Sequence, residues 1–337
     1  MIGTSPYLND VEKLMVGLVH GDGFSRMGEI LEGQLATGGK RLRARLALSA
    51  SECFGGRAET AVPWAAACEL LHNGTLIHDD IQDGDRLRRG KPTVWVLHGE
   101  AQAINAGDLM FMLPFSALAE LKAGPEVKWK LSLALAKGAQ QVVRGQSFEA
   151  ELFSVCDLAR GYGEYIRCVR EKTAALFRLP VEGAALLSGL SSDSSARLAE
   201  AFEELGVLFQ MQDDVLDLYG TKGRNLPGQD LREGKISCLV VEHMKRNPHD
   251  RKWLKELLAK SREETTDGEV RIAIDKFASE GTLDAVLQKM MDLVNTVRQN
   301  PGLKKNRALR ELALTLAVTM LEPIERVFTE RGLAVSL

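Results

Sequence analysis

The chain has little from which to build a secreted or membrane-spanning protein. Its five cysteines, Cys53, Cys68, Cys156, Cys168 and Cys238, are scattered without a Cys-x-x-Cys pair. That argues against a disulfide framework or a thiolate zinc site and points to buried thiols in a reducing compartment. The longest apolar run, Leu312 to Leu321, is broken by threonines and falls short of bilayer length, so no membrane span is expected. Asp10 and Glu12 stand early and no apolar core follows them, so a secretion signal is not expected and a cytoplasmic location is. Charge of one sign is missing too. A formal net charge of −3 gives no global field for nucleic acid or an anionic membrane. Convincing period-two alternation, low-complexity tracts and short repeats are also absent, which leaves an all-α chain. Two domains would fit in 337 residues, but one large helical domain over residues 1–337 is the expected organisation.

What the chain does have is acid set beside base. From Leu70 to Trp95 it reads LLHNGTLIHDDIQDGDRLRRGKPTVW, with Asp79, Asp80 and Asp83 at the spacing DDxxD. A helix turns about 100° per residue, so these carboxylates share one sector and repel by roughly a few tenths of a kcal/mol per pair. A divalent cation offsets that repulsion. All-oxygen ligands suit Mg²⁺, which keeps some waters and completes its shell with phosphate oxygens. Arg86, Arg88, Arg89 and Lys91 follow directly, bases for a phosphate beside acids for a metal. One such triplet also fits a solvated acidic patch. A second copy, Asp213, Asp214 and Asp217 in FQMQDDVLDLYG, favours function. There Leu198, Phe202, Leu205, Phe209 and Leu216 form an apolar helical stripe, and Asp213 falls on it. A carboxylate on a core-facing line is costly unless it is paired or metal-bound.

The other segments read as helices with chemistry at their edges. Gly38-Gly39 allows a turn, and Lys40, Arg41, Arg43 and Arg45 then open a helix whose free N–H groups favour an anion. Glu59 to Arg86 is apolar over most of its circumference, which marks a central helix with the polar stripe Glu69, His72, Asp79, Asp80, Asp83 turned to an internal cavity. His72 reads either as a core histidine or as a ligand contact, and His78 as structural. Met110, Phe111, Met112 and Phe115, on a helix from Gly99 to Leu121, make core or the wall of an apolar pocket. Lys172, on a helix from Tyr162 to Leu190, reads on its own as a snorkelling lysine. Asp193 is the expected N-cap of the helix Ser194 to Tyr219. Residues 221–234, which hold Lys222, Arg224 and Asp230, read as a mobile loop, and 236–331 as further amphipathic helices.

GGKRLRARL, LIHDDIQDGDRLRRGKPTVW, EKTAALF, FQMQDDVLDLYG and DLREGKIS occur in this order between residues 38 and 241. Together they make the chain resemble the trans-isoprenyl diphosphate synthases, the polyprenyl synthetase family. The resemblance implies a single-domain helical bundle around a deep central cavity (isoprenoid synthase type), usually a homodimer. It implies condensation of an allylic diphosphate (dimethylallyl, geranyl or farnesyl) with isopentenyl diphosphate and release of pyrophosphate. It implies that the two aspartate clusters face each other and hold about three Mg²⁺ ions, with Mn²⁺ as a substitute. By the same resemblance, Lys40, Arg43, His72 and Arg89 bind isopentenyl diphosphate. Arg88, Lys172 and Lys235 grip the allylic diphosphate, Gln210 and Thr173 stand near the developing cation, and Gln146 lies near the first cluster. Three departures stand out: Glu149 where Asp is frequent, Ala44 where Pro is common, and Gly223-Arg224 where a Gly-Lys pair is usual. The last leaves a third allylic-side cation unassigned.

Product length should depend on how far the growing tail runs beneath the first triplet. One helical turn rises about 5.4 Å. Thr75 and Gly74, four and five residues before Asp79, therefore stand about one turn down, and both are small enough to leave room. A floor would otherwise come from Leu71 or from Met110, Phe111, Met112 and Phe115. This favours a product of roughly C20 or longer over C15. Two alternatives share parts of the pattern. A class I terpene cyclase would replace the second triplet and lack the Lys40/Arg43 site. A non-catalytic partner subunit would have lost one cluster.

Overall fold

The computed structural model describes residues 5–21, 23, 25–155, 162–220 and 227–333, without the side chains of 153–155. Cys156, Lys222, Gly223 and Arg224 lie outside the described residues. The described chain is all-α apart from one two-residue hairpin. It falls into two units that interleave in sequence: Met1–Val142, Leu176–Glu200 and Asn306–Leu312 form the first, and Val143–Ala175, Ala201–Lys305 and Ala313–Leu337 the second.

Unit one begins with α1 (Leu8–His20), α2 (Arg26–Leu35) and α3 (Leu42–Cys53). α1 buries Val11, Met15 and Val19, so it is core-packed within this unit. α4 (Val62–Gln82) starts with a proline in its first turn, where a missing N–H does no harm, and buries Trp64, the alanines 65–67, Leu70, Leu71 and Ile77. It stops earlier than expected. Asp83 is its C-cap, and Gly84 follows at φ 67°. The basic run after it then folds back as β1 (Leu87–Arg88) and β2 (Lys91–Pro92), joined by Arg89 and Gly90, both at positive φ. Positive φ at both central residues is the mark of a tight hairpin turn. α5 (Val94–His98) leads into α6 (Glu100–Ala119), which packs on α4 at small residues. A Cβ on Gly107 would fall 2.2 Å from the His78 ring, so glycine is required there. α7 (Pro125–Val155) runs from unit one into unit two.

Unit two takes in α8 (Tyr162–Val169) and a π-helical turn, Arg170–Ala174, that interrupts the single helix expected from Tyr162 to Leu190. α9 (Ala175–Leu187) continues into unit one. α10 (Ser192–Tyr219) starts two residues before the expected position. Ser191, not Asp193, bonds the free N–H of Ser194, and Asp193 lies in the first turn, where it suits the helix dipole. α11 (Gln229–Arg232) gives the second half of the expected loop a fixed shape. Then come α12 (Cys238–Arg246), α13 (Arg251–Leu258), α14 (Asp267–Ser279), α15 (Thr282–Gln299), α16 (Pro301–Lys304), α17 (Arg307–Leu321) and α18 (Glu325–Glu330). α17 and α18 are separated at Pro323, which lies in a 3₁₀ turn. Cys68, Cys168 and Cys238 are buried free thiols and Cys53 is half-buried. No described helix is long and apolar enough to cross a membrane.

Candidate active site

In unit one the first acid cluster stands at the end of α4, beside the hairpin. Asp79 and Asp83 are half-buried, and Asp80 is only 1% exposed. Arg88 on β1 reaches back to Asp80 Oδ1 through Nε at 2.7 Å and Nη2 at 2.5 Å. Asp80 Oδ2 is buried, with no hydrogen-bond partner among the described residues. Burial pushes the Asp80 carboxyl above the ordinary range, and the hydrogen bond and charge of Arg88 only partly offset this. For Arg88 the balance is reversed. Burial favours loss of its proton, but the hydrogen bond and charge of Asp80 outweigh that, so the guanidinium stays charged.

A basic cluster surrounds His72, one face of α4 nearer its start. Arg43 on α3 is buried and stacks on Phe177 at 4.8 Å. Burial, with Arg89 nearby, pushes its pKa down to about 10 against the pull of Glu69. Glu69 accepts from the Ala44 N–H at 3.2 Å, which ties α4 to the first turn of α3. Arg41 precedes α3 at φ 47° and is held by Glu12 at 2.6 Å and by the Leu35 carbonyl at 2.7 Å. The Arg89 guanidinium donates to the Gly38 carbonyl and lies where a Cβ on Gly39 would be 2.6 Å away. Lys91 Nζ donates to the Ala36 carbonyl at 2.7 Å. The glycine turn and the hairpin are thus stapled together, and Gly39, at φ 125°, admits the close approach that a side chain would block. Burial first, then Arg43, Arg89, Arg88 and Arg41, hold the His72 pKa well below its usual value. The imidazole is neutral, and its buried Nδ1 has no hydrogen-bond partner among the described residues. Lys40 is exposed at the start of this cluster.

In unit two the second acid cluster is built differently from the expected pattern. Asp213 is half-buried, while Asp214 and Asp217 are the buried pair, 3% and 5% exposed. The stripe that carries Asp213 is therefore not the most buried line here, since Phe209 and Leu216 are also half-buried. Asp214 accepts from the Tyr165 hydroxyl at 2.8 Å, the Cys238 N–H at 2.7 Å and Gln210 Nε2 at 3.0 Å. Burial raises its pKa to about 6, against those three hydrogen bonds. Asp217 accepts from the N–H groups of Gln229 at 3.3 Å and Asp230 at 3.1 Å, so it anchors α11. Asp230 then forms a fourth carboxylate of this cluster. Burial, Asp217 and Asp214 hold its pKa well above the ordinary range.

The cations of unit two sit against acids. Lys172, in the π turn, pairs with Glu149 of α7, so it is not a snorkelling surface lysine. Lys235 Nζ pairs with Glu233 at 2.8 Å. Thr173 Oγ1 donates to Gln210 Oε1 at 3.0 Å, which fixes the Gln210 amide between Thr173 and Asp214.

The expected chain-length residues separate. Leu71 and Met110 are core, and Thr75 is buried with its hydroxyl on the His72 carbonyl at 2.7 Å. Gly74 does not leave open space: a Cβ there would meet Met110 and Phe111 of α6 at 3.5 Å. Residues five apart on a helix are turned by about 140°, so Gly74 points away from Asp79 and toward α6. Phe111 is half-buried and packs on the His78 ring with centroids 5.5 Å apart. Met112 and Phe115 stand instead on an exposed face of α6, 58% and 40% exposed.

Sequence reasoning missed Tyr165, Glu12 and the membership of Asp230. Only Asp230 carried a signal, its place in DLREGKIS. Asp80 Oδ2, buried and without a hydrogen-bond partner among the described residues, is an oxygen that suits a divalent cation. A further group, His243, Asp250 and Glu280, lies within 4.8 Å. Lys276 Nζ already stands 2.8 Å from Asp250 and 3.2 Å from Glu280, which makes it an ion-pair network.

Most of the chain is similar to known proteins. The family model described as polyprenyl synthetase matches residues 25–276. A short chain isoprenyl diphosphate synthase of Methanocaldococcus jannaschii is 37% identical over 244 residues, 72% of this chain and 73% of that protein. A geranylgeranyl diphosphate synthase of Methanosarcina mazei is 32% identical over 286 residues, 84% of this chain and 86% of that protein. Among solved structures, the geranylgeranyl pyrophosphate synthetase from Pyrococcus horikoshii is 29% identical with a TM-score of 0.81, over 93% of this chain and 94% of that one.

Proposed function

The chain belongs to the polyprenyl synthetase family, and from that premise we propose that it extends an allylic diphosphate by one isoprene unit at a time, taking each unit from isopentenyl diphosphate. One observation carries the site assignment: a metal-type carboxylate set at the end of α4 stands beside a basic cluster around a neutral histidine. Acid beside base is what a diphosphate with its counter-ion needs. Arg43, Arg89 and His72, with Lys40 at the rim, take the diphosphate of the isopentenyl substrate. Guanidinium forks match phosphate oxygens two at a time, and a neutral imidazole donates a hydrogen bond. Arg88, Lys172 and Lys235 hold the allylic diphosphate and release their present carboxylate partners to do so. Asp79, Asp80 and Asp83, with Asp213, Asp214 and Asp217, would hold Mg²⁺, about three ions, and bound there it would supply Lewis-acid stabilisation of the pyrophosphate group.

The bond that breaks joins the allylic carbon to the diphosphate oxygen, and its electron pair leaves with pyrophosphate. The double bond of isopentenyl diphosphate forms the new carbon–carbon bond. One proton is lost, and the departing pyrophosphate accepts it. The Gln210 and Thr173 oxygens stand by the transient allylic cation, where fixed dipoles stabilise charge without reorganising. Phe111 and Met110 fill the space beside Gly74, which favours a product of about C20 over much longer chains.

Leu97, Ile104, Met112, Phe115 and Trp129 make α5, α6 and the start of α7 an exposed apolar surface. A second copy of this chain is the proposed cover, giving a homodimer. Light scattering should give twice the chain mass, and Met112→Glu should reduce it to one. The reaction is tested with purified protein, Mg²⁺, labelled isopentenyl diphosphate and, separately, dimethylallyl, geranyl and farnesyl diphosphates. A ladder of linear products ending at one length is expected. Cyclic hydrocarbon, or no product from folded dimer, would overturn the reading. Buried free thiols fit a cytoplasmic enzyme.

A further inference from the structure

The π turn Arg170–Ala174 carries two of the groups assigned above to the allylic substrate, and a backbone contact holds it in place. Wide turns of this kind are rare and gather at functional sites. Here Lys172 points to α7, where it pairs with Glu149, while Thr173 points to α10, where it bonds Gln210 at 3.0 Å. Gly145 lies on α7, one helical turn before Glu149, and is buried. A Cβ on Gly145 would lie 2.3 Å from the Lys172 backbone nitrogen and 2.7 Å from both the Glu171 carbonyl carbon and the Lys172 Cα. These are main-chain atoms, so no rotamer change relieves the clash. The Cys168 thiol donates to the Gly145 carbonyl at 3.6 Å, from the helix that leads into the turn. α7 thus presses its bare backbone on the π turn at Gly145 and grips the Lys172 side chain at Glu149.

We propose that Gly145 is a positioning residue for the allylic diphosphate: its missing side chain lets α7 seat the π turn, which fixes where Lys172 and Thr173 stand. The proposal rests on the assignment of those two residues to the allylic substrate. A side chain at 145 has to push the turn away by about an ångström, and misplacement on that scale costs on the order of 100-fold in rate. Because Thr173 holds Gln210, and Gln210 holds Asp214, the displacement passes along one hydrogen-bonded chain.

Gly145→Ala is compared with Gly138→Ala in the same helix. The atoms nearest a Cβ at 138 all belong to the flexible Leu179 side chain, the first at 3.2 Å. In Gly145→Ala the KM for geranyl diphosphate should rise at least about tenfold and kcat should fall on the order of 100-fold. Its KM for isopentenyl diphosphate and its final product length should not change. Gly138→Ala should keep both KM values. Unchanged kinetics in folded Gly145→Ala, or an equal rise in both KM values, would overturn the proposal. If Gly145→Ala does not fold, Cys168→Val wedges the same contact by about one methyl group, which a core survives. It should raise the geranyl diphosphate KM alone, and unchanged KM values there would overturn the proposal as well. Wild-type protein without elongation activity would instead overturn the functional assignment, which separates the two failures.

Discussion

Replacing Arg88 with glutamine should weaken the protein in a way that depends on pH. The guanidinium places two nitrogens, at 2.7 and 2.5 Å, on one oxygen of a carboxylate that is 1% exposed. Removing one partner of a buried pair leaves an uncompensated charge, a loss of about 3–5 kcal/mol at full burial. Arg88 is 22% exposed, so water reaches the gap, and about 2–3 kcal/mol is the better expectation. For a chain of 337 residues, that is roughly 3–4 °C in Tm. Asp80 already has its pKa raised by burial, and Arg88 is a group that lowers it. Without Arg88 the carboxyl rises further. Between the ordinary aspartate value and the raised one, the folded state then binds more protons than the unfolded state, so stability falls as pH rises through that window. The gap between wild type and Arg88→Gln should shrink as pH falls from 8 to 5, because a carboxyl whose pKa is raised takes up its proton in that direction and then needs no partner. Urea unfolding in metal-free buffer at the two pH values measures it. An equal loss at both, or a loss below about 0.5 kcal/mol near pH 8, would refute the pairing as the reason the buried carboxylate is tolerated.

Two further outcomes follow from the site. Phe111→Ala removes the ring that packs on His78 and faces Gly74, and the product should lengthen by at least one isoprene unit with little change in rate; sizing dephosphorylated products checks this, and an unchanged length would place the floor elsewhere. Burial raises the Asp214 pKa to about 6, so Mn²⁺ affinity of the substrate-free protein, followed by electron spin resonance, should fall as pH drops through that value. Tyr165→Phe removes one of its three donors and should move the midpoint upward.

Much of this was legible in the sequence because periodicity and spacing report which residues share a helix. The helix of the first triplet, its apolar circumference and its acidic stripe follow from Ala65 to Asp83 alone. The hairpin after it did not show, because two-residue strands leave no alternation to read and Arg89 adopts a conformation that arginine seldom takes. The π turn at Arg170–Ala174 was invisible for a related reason: it depends on Gly145, 27 residues away in sequence from Lys172. A residue as small as Gly74 suggests open space from sequence alone. Its neighbour across the helix pair, Phe111, turned that room into a contact. On α10 the apolar stripe led to Asp213, yet Asp214 and Asp217 are the buried carboxylates. They are buried because Tyr165, Gln210 and the backbone of residues 229, 230 and 238 supply donors, and no local pattern announces Tyr165. The basic cluster around His72 was expected from resemblance, but its fastening through Glu12 and Glu69 needed the tertiary structure.

The two aspartate clusters are the centre of the account, and the structure guides which members to change. Asp80 and Asp214 are buried and hydrogen-bonded, so their loss mixes folding with chemistry. Asp79 and Asp213 are half-buried, and asparagine keeps their shape while removing the charge that draws a metal. The measurement to make is single-turnover condensation of geranyl diphosphate with isopentenyl diphosphate in Asp79→Asn and Asp213→Asn, each with its unfolding midpoint. Each should lose at least about 100-fold in rate at an unchanged midpoint, because leaving-group stabilisation is removed while packing stays. Near wild-type turnover in either folded variant would contradict the claim that both clusters serve the reaction.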